Sequence, residues 1–211
     1  MRKGIILVGG GGHCRACIDV IEATGSFAVA GIVDRGERLG ERILGYEIMG
    51  DDTDLPVLAA EGRQFLVTVG HIKSGSRRRE LFESLAGLGA DLPVVISPLA
   101  YVSSHAVIGA GAIVMHRAHI GPLARIGANC IINTGAVIEH DTAVEDHCHI
   151  STGAIVNGKC TIGSGSFIGS NSVIVQGVKV GWNIVVGAGA VVTEDLVIPG
   201  IYVGIPARRI A

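Results

Sequence analysis

Residues 126–150 read IGANCIINTGAVIEHDTAVEDHCHI, and an aliphatic β-branched residue returns at every sixth position of this stretch. The spacing continues in both directions without a slip, over Val102, Ile108, Val114, Ile120, Ile126, Ile132, Ile138, Val144, Ile150, Val156, Ile162, Ile168, Ile174, Val180, Val186, Val192 and Ile198. Small residues hold the fifth position of each six, as at Ala112, Cys130 and Ala154. Glycine is frequent at the second position, where we expect a corner whose backbone angles other residues avoid.

This period of six predicts a prism of stacked triangular coils. A β-branched residue suits a short extended segment, and three faces of six residues close one coil. Coils stack at the inter-strand spacing of about 4.8 Å, and each buried aliphatic side chain contributes roughly 1.5–3 kcal/mol. One coil cannot bury its own inner face, so the prism is stable only as a stack. An aromatic content of 4% fits such thin layers.

Length and charge exclude several classes of protein. The 211 residues suffice for one large domain or two small ones. With 17 basic and 19 acidic residues, the net charge of -2 creates no basic field that would attract nucleic acid. No apolar stretch reaches the roughly 18 residues that span a bilayer, and the short apolar run near the N-terminus breaks into glycines. We therefore expect a cytoplasmic protein without a nucleic-acid or membrane partner.

The five cysteines do not indicate a disulfide framework, because their number is odd and no export signal precedes them. Cys14 and Cys17 form a single C-x-x-C on a predicted helix, and a functional thiol pair there is disfavoured. Cys130, Cys148 and Cys160 fall in the small inward position of the repeat, where we interpret them as core residues.

The first third of the chain has a different pattern. Residues 3–8, KGIILV, predict a buried strand, residues 9–13, GGGGH, a tight loop, and residues 14–25 a helix that ends at Gly25. A second strand ends in Asp34, residues 65–71 predict a third, and residues 76–90 predict an amphipathic helix. The glycine loop is either a phosphate site at a helix N-terminus or a plain tight turn, and its spacing does not support a dinucleotide site.

We thus predict two domains: a small Rossmann-like α/β domain with a parallel sheet over residues 1–97, and the all-β prism over residues 98–211. The run Arg77-Arg78-Arg79 is interpreted as a solvated helix face.

The prism resembles the hexapeptide acyltransferases, whose repeats form a left-handed parallel β-helix and which are usually trimeric, with active sites between neighbouring prisms. With the α/β domain in front, the chain resembles the bacterial PglD-type enzymes that N-acetylate nucleotide-linked 4-amino-sugars, and the related NeuD-type sialic acid O-acetyltransferases. The glycine loop and Asp34 match that family, whereas VGHI at 69–72 departs from its usual glycine-then-asparagine pair. The resemblance implies acceptor binding by Gly10, Gly11, Gly12, His13, Asp34 and Asn133.

The six-residue register assigns each histidine of the prism to a position in its repeat. His140 is third in its repeat, at a corner, with Glu139 and Asp141 on either side. His147 and His149 are fourth and sixth in the next repeat and also point out of the prism core, so the alternative to function is surface polarity. No two histidines have the spacing of the zinc-binding prisms, and we predict no metal.

Acetyl transfer requires a base that removes a proton from the acceptor, and a histidine titrates in the right range. Either Asp141 or Glu139 could orient the imidazole of His140. Gly158 lies one coil after His140 in the same column, where a backbone N–H could stabilise an oxyanion. The resemblance assigns the same roles: His140 as base, Asp141 as its partner and Gly158 as the oxyanion donor.

Acetyl-CoA is the co-substrate that the resemblance implies, bound along the groove between two prisms. The residues implied for it are His149, Gly187, Ala188, Ile205, Pro206 and Arg208.

The leading hypothesis is an acetyl-CoA-dependent N-acetyltransferase that acts directly, as a homotrimer, on the 4-amino group of a UDP-linked or other nucleotide-linked sugar. The alternatives are a sialic acid O-acetyltransferase and a non-catalytic protein that binds sugar nucleotides.

Overall fold

A computed structural model describes residues 3–72 and 74–210. Its N-terminal unit comprises β1 (Lys3–Val8), α1 (Gly12–Thr24), β2 (Phe27–Val33), β3 (Arg42–Ile43), β4 (Tyr46–Gly50), α2 (Leu55–Ala60), β5 (Gln64–Val67) and α3 (Ser76–Gly87). The sheet order is β3-β4-β2-β1-β5, and all neighbours are parallel except β3 and β4. The predicted α/β fold with a parallel sheet is confirmed.

Both faces of this sheet are covered, which explains the continuous apolar run of β1. Ile5 and Leu7 point to one side, into a cluster with α1, whereas Ile6 and Val8 point to the other side, towards α2 and α3. Helix α1 ends where expected, because Gly25 adopts the left-handed conformation with φ 65°.

The prism follows, with two-residue strands in most rungs. Its strands are β6 (Val95–Ile96), β7 (Tyr101–Val102), β8 (Val107–Ile108), β9 (Ile113–Val114), β10 (His119–Ile120), β11 (Arg125–Ile126), β12 (Ile131–Ile132), β13 (Val137–Ile138), β14 (Ala143–Val144), β15 (His149–Ile150), β16 (Ile155–Val156), β17 (Thr161–Ile162), β18 (Phe167–Ile168), β19 (Val173–Ile174), β20 (Lys179–Val180), β21 (Ile184–Val186), β22 (Val191–Val192), β23 (Gly200–Val203) and β24 (Arg208–Arg209).

These strands form three sheets along the prism. The first, called the docking sheet because the N-terminal unit packs on it, contains β6, β9, β12, β15, β18, β21, β23 and β24. The second sheet contains β7, β10, β13, β16, β19 and β22, and the third contains β8, β11, β14, β17 and β20. Successive rungs pair in register one coil apart, as Ile132 does with Ile150. The predicted prism fold is therefore confirmed.

The corners correct one expectation from the sequence. The left-handed backbone angles occur at the fourth position of most repeats, for example at Asn129, Asp141 and His147, and not at the second-position glycines. Those glycines serve close approach instead: a Cβ on Gly163 would lie 2.6 Å from the carbonyl carbon of Gly181 in the next rung. The absence of a side chain there lets the rungs stack.

The N-terminal unit packs on the docking sheet. Ile113, Met115 and Ile131 of the prism share an apolar cluster with α1, and β6 already pairs with β9. The side chain of Arg78 is buried at this junction. The expectation that the run Arg77-Arg78-Arg79 forms a solvated helix face is therefore wrong for Arg78. The cause is tertiary, because α3 turns Arg78 towards the prism.

The cysteines and helices add two observations. All five cysteines are buried free thiols, and burial raises the pKa of Cys14 to about 11, which disfavours its thiolate. None of the helices in the described ranges is long and apolar enough to cross a membrane.

Candidate functional site

A helix N-terminus opens onto the glycine loop. Gly11 is the N-cap of α1, without a side-chain cap and without an acidic residue in the first turn. A Cβ on Gly11 or Gly12 would meet nothing within 4 Å, whereas one on Gly10 would lie 2.7 Å from Oδ2 of Asp34. The loop thus leaves the first amides of α1 free to meet an anion.

A cavity of about 940 Å³ lies in front of this loop. Its walls contain Gly9–His13, the β2 end at Asp34, the segment 68–72 after β5, and Asn133 and His149 from the prism. The structure therefore brings all six residues of the expected acceptor site to one cavity, together with His149. A cavity of this size accommodates a ligand of several rings.

Asp34 is not a free carboxylate. Its Oδ2 contacts Nη1 of Arg38, and the same Nη1 donates to the Gly10 carbonyl at 3.1 Å. Arg38 also donates to Glu41 at 2.9 Å. This pair holds the end of β2 against the glycine loop.

Hydrogen bonds fix His149 in one neutral tautomer. Oδ1 of Asn133 accepts from the Thr134 N–H at 2.8 Å, so Nδ2 of Asn133 faces His149 Nε2 at 3.1 Å and donates to it. Nδ1 of His149 then donates to the His71 carbonyl at 2.8 Å. A second proton on the ring would place two donors face to face, so the neutral form is favoured.

Three imidazoles line the inner end of the cavity in their neutral form. Burial, with a smaller contribution from the nearby Arg78 charge, lowers the pKa of His13 to about 3, of His71 to about 3 and of His149 to about 4. His71 packs edge-on against His149, with ring centroids 5.5 Å apart. Both nitrogens of His71 are buried, and neither has a hydrogen-bond partner among the described residues.

The expectation of surface histidines is corrected at two positions. His147 and His149 point out of the prism as predicted, but the N-terminal unit covers them, and they are 8% and 7% exposed. His147 accepts from Asn129 at 3.0 Å and packs against Phe82 of α3. Burial also lowers the pKa of His147.

A second cluster contains His140, Asp141 and Gly158. Nδ1 of His140 lies 2.8 Å from Oδ2 of Asp141, so this carboxylate, and not that of Glu139, contacts the ring. A Cβ on Gly158 would be 2.7 Å from both Cε1 and Nε2 of His140, which means that the imidazole covers the Gly158 backbone. Among the described residues, no acceptor pairs with the Gly158 N–H. Both side chains of the pair are about half exposed.

The two clusters lie on different sides of the prism. Asn133 stands at the corner that follows β12 of the docking sheet, and His149 lies on that sheet. His140 stands at the corner between the second and third sheets, opposite the docking sheet. Within one chain, the prism separates His140 from the cavity.

The residues expected to bind acetyl-CoA fall into two groups. Gly187, Ala188, Ile205, Pro206 and Arg208 meet at the C-terminal end of the prism, where Gly187 N–H donates to Tyr202 and Val191 N–H to Gly204. Arg208 is paired with Glu194 at 2.8 Å. His149 is not with them, because it lies in the cavity wall.

Sequence patterns did not indicate His71, Arg38 or Arg78 as site residues. A departure from the family pattern at His71 was the only available signal, and nothing local marked the two arginines. Within the described ranges, no group of three or more histidine, cysteine or acidic side chains is arranged to hold a metal ion.

Two family models match the chain. The PglD N-terminal domain model matches residues 4–85, and the hexapeptide repeat of succinyl-transferase matches residues 159–194. A comparison with curated proteins gave no match.

Solved structures match over the whole length. A histidine-to-asparagine variant of perosamine N-acetyltransferase from Caulobacter crescentus, in complex with CoA and GDP-perosamine, is 32% identical, with a TM-score of 0.91 over 99% of this chain and 97% of the relative. The acetyltransferase domain of PglB from Neisseria gonorrhoeae is 31% identical, with a TM-score of 0.91 over 99% of this chain and 100% of the relative. That domain was also solved with acetyl coenzyme A. The resemblance drawn from the sequence is confirmed.

Proposed function

Because this chain belongs to the family of sugar N-acetyltransferases that join a PglD-type N-terminal domain to a hexapeptide-repeat prism, we propose that it transfers the acetyl group of acetyl-CoA to the 4-amino group of a nucleotide-linked amino-deoxysugar. The relative from Caulobacter binds CoA and GDP-perosamine together. Simultaneous binding of coenzyme and acceptor is what direct transfer, without an acyl-enzyme, requires.

The observation that carries this proposal is the cavity at the domain junction. It joins free helix-terminal amides, suited to a diphosphate, with a deep wall of neutral imidazoles from both domains. Neutral imidazoles can donate and accept hydrogen bonds, which suits the hydroxyl groups of a sugar better than a second anion. A nucleotide-linked sugar offers both kinds of group along one molecule.

His140 is proposed as the general base. With Nδ1 donating to Asp141, its Nε2 carries the lone pair and takes a proton from the attacking amine. The amine nitrogen forms a bond to the thioester carbon, and Asp141 stabilises the imidazolium that results.

Gly158 is proposed to stabilise the oxyanion. The His140 ring covers the Gly158 backbone, whose N–H has no acceptor among the described residues, so base and donor can act on one reacting centre. When the tetrahedral intermediate collapses, the C–S bond breaks and His140 returns its proton to the departing sulfur. The products are the acetylated amino-sugar and CoA with a free thiol.

The proposed reaction requires a second copy of the chain, because His140 and the cavity lie on opposite sides of one prism. The second sheet offers a suitable contact surface. Its outward residues are mostly apolar, including Tyr101 and Ile155, whereas the third sheet presents Arg125, Thr161 and Lys179. We propose a homotrimer in which His140 of one copy faces the cavity of the next.

The nucleotide is open to test. The leading hypothesis from the sequence names UDP, whereas the relative from Caulobacter binds GDP-perosamine, so both nucleotides belong in the acceptor panel.

Thiol release from acetyl-CoA tests the function, with UDP-, GDP- and dTDP-linked 4-amino-sugars and free sialic acid as acceptors. Release with one amino-sugar nucleotide, lost in His140→Ala, supports the proposal. Release with sialic acid alone would indicate the O-acetyltransferase alternative, and acetyl-CoA binding without any release would indicate a non-catalytic protein. Sedimentation analysis of the same samples tests the trimer.

A further inference from the structure

Arg78 is a fully buried cation at the domain junction, with 1% of its surface exposed. Its Nη1 donates to the carbonyls of Val67 and Val69, at 2.5 and 2.9 Å, and its Nε donates to the Asn129 carbonyl at 3.1 Å. The first two acceptors belong to β5 and the segment after it, and the third to the prism. One guanidinium therefore ties the cavity floor to both domains.

No carboxylate among the described residues balances this charge. Within that part of the chain, the acceptors of Arg78 are all backbone carbonyls, and its Nη2 is buried without a partner. The arginines that line the cavity differ. Arg35 lies near Glu37, Arg38 pairs with Asp34, and Arg77 pairs with Asp52. Among the described residues, Arg78 is the arginine beside the cavity whose charge meets no acid.

A buried and uncompensated charge is expensive unless something else neutralises it. Arg78 lies directly behind the cavity floor, because its acceptor Val69 lines the cavity. Its field reaches the inner wall, since it contributes to the lowered pKa of His13, His71 and His149. In surroundings of low polarity, such a charge acts over a longer distance than a solvated one.

We propose that Arg78 is a specificity-determining residue of the acceptor site, which supplies through the cavity floor the buried positive charge that balances the diphosphate of the nucleotide sugar. This inference rests on the proposed function for the acceptor class. Arg78 does not touch the ligand, so its effect is electrostatic: it favours charged acceptors over uncharged sugars.

The test is a binding comparison between nucleoside diphosphates and nucleosides, by calorimetry on the full chain without acetyl-CoA. Arg78→Lys and Arg78→Gln both lose the forked hydrogen bonds, but only the second loses the charge. Arg79→Gln is the matched control, because it removes an exposed, Glu83-paired charge from the same helix. GDP with guanosine, UDP with uridine and dTDP with thymidine are the probe pairs.

We expect Arg78→Gln to weaken diphosphate binding on the order of tenfold more than nucleoside binding. Arg78→Lys should keep the wild-type ratio, and so should Arg79→Gln. Because the charge is buried, the difference between the lysine and glutamine variants should persist at high salt.

If both Arg78 variants bind the diphosphate and the nucleoside more weakly by the same factor, Arg78 has only a structural role in the cavity floor. That result would overturn the inference. If Arg78→Gln does not fold, the lysine variant still decides, since loss of the wild-type ratio in it contradicts an electrostatic role. Failure of the wild type to bind any diphosphate would instead overturn the proposed acceptor class.

Discussion

Acidification from about pH 7 to about pH 5 is expected to destabilise the folded chain through His13, His71 and His149. Burial holds the native pKa of each at about 3 to 4, below the unfolded value of 6.5. Below pH 6.5 the unfolded chain therefore binds more protons than the folded chain. The stability that these residues confer is complete above pH 6.5 and falls as the pH approaches their native pKa values.

The size of the destabilisation follows from how far pH 5 lies below the unfolded pKa of 6.5. Each histidine that stays neutral in the native state at pH 5 lowers the free energy of unfolding by about 2 kcal/mol relative to pH 7. The three together give about 6 kcal/mol, which is comparable to the whole stability of many domains.

Chemical denaturation at a series of pH values measures this slope. His149→Gln should remove about 2 kcal/mol of this change between pH 7 and pH 5, because the glutamine amide can still donate to the His71 carbonyl but does not titrate. His105→Gln, at an exposed corner of the prism, is the control and should leave the slope unchanged. A free energy of unfolding that stays constant between pH 6.5 and pH 5 would refute the reasoning, as would a wild-type slope in His149→Gln.

Three substitutions test the site geometry, and Gly163→Ala serves as a control. His140→Ala should lower kcat on the order of 10²- to 10⁴-fold without changing the melting temperature, measured by thiol release and thermal denaturation; wild-type turnover would remove His140 from the mechanism. Gly158→Ala should displace the His140 ring and lower kcat with little loss of stability, whereas Gly163→Ala should lower the melting temperature, because its Cβ would strike the backbone of the next rung. Gly10→Ala should raise the KM for the acceptor but not for acetyl-CoA, because its Cβ would press on Asp34; equal changes in both KM values would argue against an acceptor role.

The prism was predictable because every rung repeats the same physical requirement. An inward isoleucine or valine at each sixth position leaves one arrangement that buries all of them, so Ile132 stacks on Ile150 as expected. The corner conformation was less accessible, because aspartate, histidine and asparagine adopt it as well as glycine. A period identifies the position of Asp141 and His147 but not their backbone angles.

The errors at the site concern contacts between the two domains. Arg78 belongs to a run of three basic residues that is locally indistinguishable from a solvated helix face. His149 occupies an outward-facing position in its repeat. It is buried because the N-terminal unit packs over this face of the prism. Short strands such as β3 and β4 were also not predicted, since they complete a sheet edge without a strong pattern of their own.

The hydrogen bonds of the histidines separate a candidate base from its neighbours. A base needs one ring nitrogen held by a carboxylate and the other free to accept a proton. His149 has both nitrogens occupied, and His116 lies between Ser97 at 2.6 Å and Asp19 at 2.9 Å. Among the described histidines, His140 is the one that combines a hydrogen bond to a carboxylate with an unoccupied second nitrogen. The sequence therefore predicts a histidine as the candidate base, but the partners of each ring nitrogen are needed to distinguish His140 from the other histidines.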